Sequence, residues 1–130
     1  MRGNEHILFV DDEEALVSLG RELFERLGYH VSGHTSSVSA LAALRAAPQD
    51  FALVITDRTM PQIPGEALIR ALRHIRPDIP VILCTGFSHP LTPEQVKSLG
   101  ISAIIPKPVA TRDWGLVIRR VLAQQHPPQT

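Results

Sequence analysis

Short apolar runs alternate with amphipathic stretches along the whole chain. His6–Val10 is an apolar run that reads as a strand, and it stops at the acidic block Asp11-Asp12-Glu13-Glu14. Behind it Ala15, Leu16, Leu19, Leu23, Phe24 and Leu27 recur at helical spacing, and Gly28 stands where a helix C-cap belongs. Residues 29–33 form a weaker second strand, apolar only at Tyr29 and Val31. Ser36 or Ser37 can cap a second helix with a stripe of Val38, Leu41, Ala42 and Leu44, closed by Pro48. Residues 51–55 are apolar at every position, as suits a strand covered on both faces, and they end at Thr56-Asp57. A loop with Pro61, Pro64 and Gly65 leads into a third helix carrying Ala67, Leu68, Ala71, Leu72 and Ile75. Residues 80–84 are again continuously apolar and run into Thr85-Gly86. Thr92, Pro93 and Gln95 have the spacing of an N-cap, a first-turn proline and a capping-box partner. The helix they open is thin in apolar residues, with only Val96 and Leu99 before Gly100. Ala103–Pro106 is the fifth strand, ending at Lys107-Pro108, and Trp114, Val117, Ile118, Val121 and Leu122 line a fifth helix.

Five strands alternating with five helices predict an α/β fold with helices on both faces of the sheet and right-handed crossovers. The expected architecture is a doubly wound five-stranded parallel sheet of order 2-1-3-4-5, flavodoxin-like. One domain is expected over residues 1–130, with a core of about 5–123 and a polar, proline-containing tail at 124–130.

The polar residues that interrupt the apolar strands recur at one place in each unit. Asp11 and Asp12 follow the first strand, Asp57 the third, Thr85 the fourth and Lys107 the fifth. In an open parallel sheet ligands bind outside the carboxyl ends of the strands, where strand order reverses. With strands 1 and 3 as neighbours, Asp11, Asp12 and Asp57 converge from separate segments. Carboxylates gathered in one cleft repel one another and are relieved by a proton or a cation. An all-oxygen donor set without His or Cys favours a hard ion, and Mg²⁺ suits few carboxylates and several waters. A lysine and a hydroxyl opposite the carboxylates complete a clamp for a phosphoryl group. A carboxylate is also able to attack phosphorus and form an acyl phosphate, and Asp57, alone on its strand, is the candidate nucleophile.

Composition narrows the function classes. Thirteen Lys and Arg balance thirteen Asp and Glu, so no general attraction for a phosphate backbone exists and direct nucleic-acid binding is not expected. Apolar runs of about five residues fall far short of a membrane span. Charges at Arg2, Glu5 and Asp11 precede any long apolar stretch, so no secretory leader is expected, and a single cysteine, Cys84, excludes an internal disulfide. A cytoplasmic chain is expected. The six histidines are scattered over different elements, with His30 and His34 framing the second strand without evident partners. Arg70, Arg73, His74 and Arg76 read as a solvated helix face.

Together Val10-Asp11-Asp12-Glu13, Asp57 to Pro61 with Gly65, Leu83-Cys84-Thr85-Gly86 and Lys107-Pro108 resemble a response-regulator receiver domain of two-component signalling. Leu83 to Phe87 also resembles receivers attached to hybrid sensor histidine kinases. The resemblance implies a set of roles. Asp57 accepts a phosphoryl group from a histidine kinase or phosphotransfer protein. Asp12 ligates Mg²⁺ directly, Asp11 mainly through water, Asp57 by a carboxylate oxygen and Thr59 by its backbone carbonyl. Lys107 binds a phosphoryl oxygen, Thr85 reports the phosphoryl group, and the fourth helix, fifth strand and fifth helix form the output surface toward a downstream protein. The expected state is a monomer or weak dimer, with no role as an enzyme on external substrates. A Mg²⁺-dependent phosphohydrolase with an aspartyl nucleophile needs a second carboxylate two residues on, where this chain has Thr59. Ile104 occupies a position where many receivers use an aromatic ring as a switch. That departure is the argument for the alternative, a degenerate receiver that only docks or dimerises. Phe87, two residues after Thr85, is expected to hinder the water that hydrolyses an acyl phosphate. A polar residue at position 87 is then expected to shorten the lifetime of the phosphorylated chain, measured by its loss with time in intact-mass spectra.

Overall fold

A computed structural model describes residues 5–58, 65–85, 92–106 and 111–125. The elements are β1 (His6–Val10), α1 (Glu14–Arg26), β2 (His30–His34), α2 (Ser37–Ala46), β3 (Leu53–Asp57), α3 (Gly65–Ile75), β4 (Val81–Thr85), α4 (Pro93–Leu99), β5 (Ala103–Pro106) and α5 (Thr111–Gln125). All strands are parallel, in the order β2-β1-β3-β4-β5. Side chains alternate across each strand, so the continuous apolar runs feed two cores. Leu8, Val10, Val54 and Leu83 pack with α2, α3 and Leu99 on one face. Ile7, Phe9, Ile55, Ile82 and Cys84 pack with α1 and α5 on the other. Among the described residues no helix is long and apolar enough to cross a membrane.

Three strands are shifted from the sequence expectation. β2 runs to His34 instead of residue 33, because its ladder with β1 continues to the Val10–His34 pair and Asp11 N–H donates to the His34 carbonyl at 3.1 Å. β3 covers 53–57 instead of 51–55. Phe51 is buried but lies before the ladder, whose first pair to β1 is Ile7–Leu53. β4 excludes Pro80, which offers only its carbonyl, to Val54 N–H at 3.0 Å, and includes Thr85. Asp57 and Thr85 are therefore the last residues of their strands.

Two helices keep part of the expected stripe inward, Leu23, Phe24 and Leu27 in α1 and Leu41 and Leu44 in α2, and depart from it elsewhere. In α1 Leu19 is 64% exposed and Ala15 is exposed, and the sheet-facing row runs through Val17, Gly20, Phe24 and Leu27. Gly20 belongs to that row because an ideal Cβ there would lie 2.4 Å from Phe9 Cε2. The Phe9 ring occupies the space, and a glycine carries no hydrophobic signal. In α2 Val38 is 59% exposed and Ala42 is exposed, whereas Ser37, Ala40, Leu41 and Leu44 are buried. Small residues let this helix approach the sheet closely. The α5 stripe is inward as expected, and Trp114 meets Phe24 edge-on with ring centroids 5.2 Å apart.

Arg73 of α3 and Arg76, just beyond its end, are also reassigned. Arg70 and His74 are exposed, but Arg76 donates to the Pro48 carbonyl at 2.9 Å and Arg73 is half-buried against backbone carbonyls. Histidines at this same end have partners as well. His6 and His30 are opposed across β1 and β2, with ring centroids 6.2 Å apart, and His6 lies 4.6 Å from the Phe51 ring. Burial first and His30 second hold the His6 imidazole below its ordinary 6.5, against the opposing pull of Asp50. A depressed imidazole pKa means that the unfolded chain binds the extra proton first, so stability falls as pH drops below that ordinary value. The urea midpoint is expected to be lower at about pH 5.5 than at about pH 7.5, and His30→Gln to flatten part of that slope by removing the repulsion.

Candidate functional site

The β1–β3 ladder reaches Val10–Thr56, so the residues that follow these two strand positions stand side by side at the carboxyl edge of the sheet. Those residues are Asp11 and Asp57. With Asp12 they form a group in which one carboxylate oxygen from each lies within 4.8 Å of the other two. Asp11 is 4% exposed and Asp57 6%, while Asp12 is open to solvent. Adjacent positions in the chain give Asp11 and Asp12 different environments, one inner and one outer.

Local structure holds each carboxylate. Asp11 Oδ1 accepts from Glu13 N–H at 3.0 Å, and the backbone of Asp11 is tied to β2 through His34. Glu13 is the N-cap of α1 and makes no side-chain cap, so Asp11 stands at a helix start whose partial positive charge favours an anion. Asp57 is fixed from its own backbone. The hydroxyl of buried Thr56 donates to the Asp57 carbonyl at 3.0 Å. Gly65 opens α3 directly on that carbonyl, where a Cβ would stand 2.6 Å away and 2.8 Å from Arg58 Cα. Gly65 N–H also donates to the Arg58 carbonyl at 2.7 Å, and the Arg58 guanidinium grips both oxygens of Glu66 at 3.2 and 3.3 Å. The two ends of the β3–α3 connection are thus tied together beside Asp57.

Thr85 ends β4 one position past Cys84, the ladder partner of Asp57, and is half-buried. It pairs with Pro106 of β5, and Lys107 is the next residue in the chain. Lys107, Thr59 and Phe87 lie outside the described residues. The structure therefore brings together Asp11, Asp12 and Asp57, and sets Thr85 on the same edge.

Two features escaped the sequence reading. The Arg58–Glu66 pair is eight residues apart across a proline-rich loop, a spacing that carries no helical or strand signal. His34 is not partnerless: Nδ1 lies 3.0 Å from Ser39 Oγ and Nε2 3.0 Å from Ser32 Oγ. Ser39 donates its own proton to the Ser36 carbonyl, so it accepts from Nδ1–H, and this network assigns the tautomer. Burial holds the His34 imidazole below its ordinary value.

An all-oxygen cluster with two buried members suits a hard divalent cation, since the donor set holds neither thiolate nor imidazole. The model of the response regulator receiver domain matches residues 7–119. The chain belongs to that family. As a receiver domain of two-component signalling, it has relatives in both kinases and regulators. It is 26% identical to the sensor kinase CckA of Brucella abortus over 96% of this chain and 13% of that protein. It is 29% identical to the response regulator SaeR of Staphylococcus aureus over 92% of this chain and 51% of that protein. The chain thus spans about half the length of SaeR and a small part of CckA. A response regulator receiver domain from Clostridium thermocellum superimposes with a TM-score of 0.87, at 26% identity, over 94% of this chain and 97% of that one.

Proposed function

We propose that this receiver domain is a phospho-accepting switch in which Asp57 takes a phosphoryl group from a phosphohistidine of a histidine kinase or phosphotransfer protein. The observation that carries the reading is the convergence of Asp11, Asp12 and Asp57 within 4.8 Å at the carboxyl edge of the sheet. In the transfer an Asp57 carboxylate oxygen forms a bond to phosphorus, the P–N bond of the donor breaks, and the imidazole leaves with the bonding pair. The product is an aspartyl phosphate on Asp57.

The residues of the site divide the work. Asp12 would hold Mg²⁺ directly, Asp11 through water, Asp57 by one carboxylate oxygen and Thr59 by its backbone carbonyl. Mg²⁺, when bound, supplies neutralising charge for the phosphoryl oxygens. Lys107 adds a second cation on those oxygens, and Thr85 donates a hydrogen bond once the group is in place. The tied base of the β3–α3 connection keeps Asp57 from drifting as charge is added. The response passes to α4, β5 and α5. Ile104 on β5 is 39% exposed and carries neither ring nor hydroxyl, so the signal is read as displacement of backbone and helix and not as an aromatic flip. The setting is the cytoplasm, where the lone Cys84 stays a buried thiol.

Incubation with acetyl phosphate and Mg²⁺, followed by intact mass, tests the proposal. One added phosphoryl group, dependent on Mg²⁺, is expected. No uptake together with no Mg²⁺ binding by calorimetry overturns it and favours a docking-only receiver.

A further inference from the structure

Helix α4 is held very differently at its two ends. It has seven residues, too few to be stable alone. Among the described residues its N-terminal end is tied only to itself: Thr92 Oγ1 accepts from Gln95 N–H at 3.1 Å, and Gln95 Oε1 accepts from Thr92 N–H at 2.9 Å. Residues 92–95 are exposed. At the other end Leu99 is buried in the α2–α3 core, and Gly100 turns left-handed at φ 67°.

The carbonyls of that end are divided between two partners. Ile101 N–H donates to the Val96 carbonyl and Gly100 N–H to the Lys97 carbonyl, each at 3.2 Å, which is a Schellman closure. This arrangement leaves the carbonyls of Leu99 and Gly100. Both accept from Arg73 of α3, at 3.2 Å from Nε and 2.7 Å from Nη2. The same guanidinium donates to the Pro77 carbonyl at 3.1 Å and to the Ile79 carbonyl in the α3–β4 connection. One planar cation thus joins α3, the α3–β4 connection and the last turn of α4, on the side of the helix dipole that favours positive charge. Burial lowers the Arg73 pKa, and Asp78 opposes that shift.

We infer that Arg73 is a positioning residue that fixes the C-terminal end of α4, so that phosphorylation moves α4 as a lever about Gly100, with its displacement at the Thr92 end. The inference rests on the reading of α4 as part of the responding surface. Thr85 and Thr92 are the ends of the connection that would deliver the signal, and only the Thr92 end of α4 is free of tertiary ties among the described residues. A fixed fulcrum converts a small shift at that end into a rotation of the whole helix, because the seven residues move as one rigid rod of about 10 Å.

Amide hydrogen exchange followed by NMR on the full chain, with and without acetyl phosphate and Mg²⁺, tests the clamp. In the wild type, phosphorylation is expected to change exchange at Gln95 and Val96 and to leave Gly100 and Ile101 unchanged. Arg73→Gln, without phosphodonor, is expected to speed exchange at Gly100 and Ile101 by about tenfold relative to core amides such as Ile55. The guanidinium lines an open cleft of 340 Å³. Water therefore fills the space that a shorter side chain leaves, and Arg73→Gln retains a dry core. Arg73→Lys keeps the charge but reaches fewer carbonyls, is expected to fall between the two, and carries the comparison by itself if the glutamine variant does not fold. Wild-type exchange at Gly100 and Ile101 in both variants overturns the proposal, as does phosphorylation that speeds Gly100 as much as Gln95. If intact mass shows no phosphoryl uptake and calorimetry no Mg²⁺ binding, the switch reading fails, while the comparison without phosphodonor still decides the clamp.

Discussion

Asp57→Asn is expected to abolish phosphoryl uptake from acetyl phosphate, with the initial rate falling on the order of a thousandfold or more. The amide keeps the shape of the side chain, so the 6%-exposed pocket is refilled without a cavity. What is lost is the anionic oxygen that would form the bond to phosphorus in the proposed transfer, and neither neighbouring carboxylate is placed to replace it. Asp11 is turned toward Glu13 N–H, and Asp12 faces solvent. The variant also removes one of three mutually repelling carboxylates, so its thermal midpoint is expected to equal or exceed that of the wild type in Mg²⁺-free buffer. Intact mass and a thermal melt on the same sample check both statements. Undiminished uptake by Asp57→Asn would move the acceptor to another residue.

The largest effect on stability is expected from Phe24→Ala. Phe24 is completely buried on α1, edge-on to Phe9 of β1 at 5.3 Å and to Trp114 of α5 at 5.2 Å. Truncation removes the ring that joins sheet, α1 and α5, and leaves a cavity between rigid neighbours. The cost is about 3–5 kcal/mol, a large share of the total stability of a domain this size. Leu19→Ala, on the same helix and of similar chemistry, is expected to cost less than about 0.5 kcal/mol because the side chain is exposed. Urea denaturation of the two variants separates them. Equal losses would contradict the orientation of α1.

Legibility in the sequence followed the physics of each signal. The sheet was readable because parallel strands are covered on both faces, so residues such as Leu53 to Ile55 and Val81 to Leu83 are apolar without alternation. The start of α4 was readable because Thr92, Pro93 and Gln95 act on one another within a single turn. Helix faces were less legible. The inward row of α1 passes through Gly20 and that of α2 through Ser37 and Ala40, all chosen for closeness and not for hydrophobicity. Arg73 and Arg76 look like surface residues by type, yet their acceptors include carbonyls more than twenty positions away, at Leu99, Gly100, Pro48 and Phe51.

By itself the sequence determined the order of strands and helices, the family and the residue types placed at the strand ends, since each is written in local pattern and composition. Only the tertiary structure decided which carboxylates meet, which helix faces turn inward and which end of α4 is anchored. These depend on ladder register, on the room a missing Cβ leaves and on long-range hydrogen bonds to backbone carbonyls, which any residue type supplies and no sequence pattern marks.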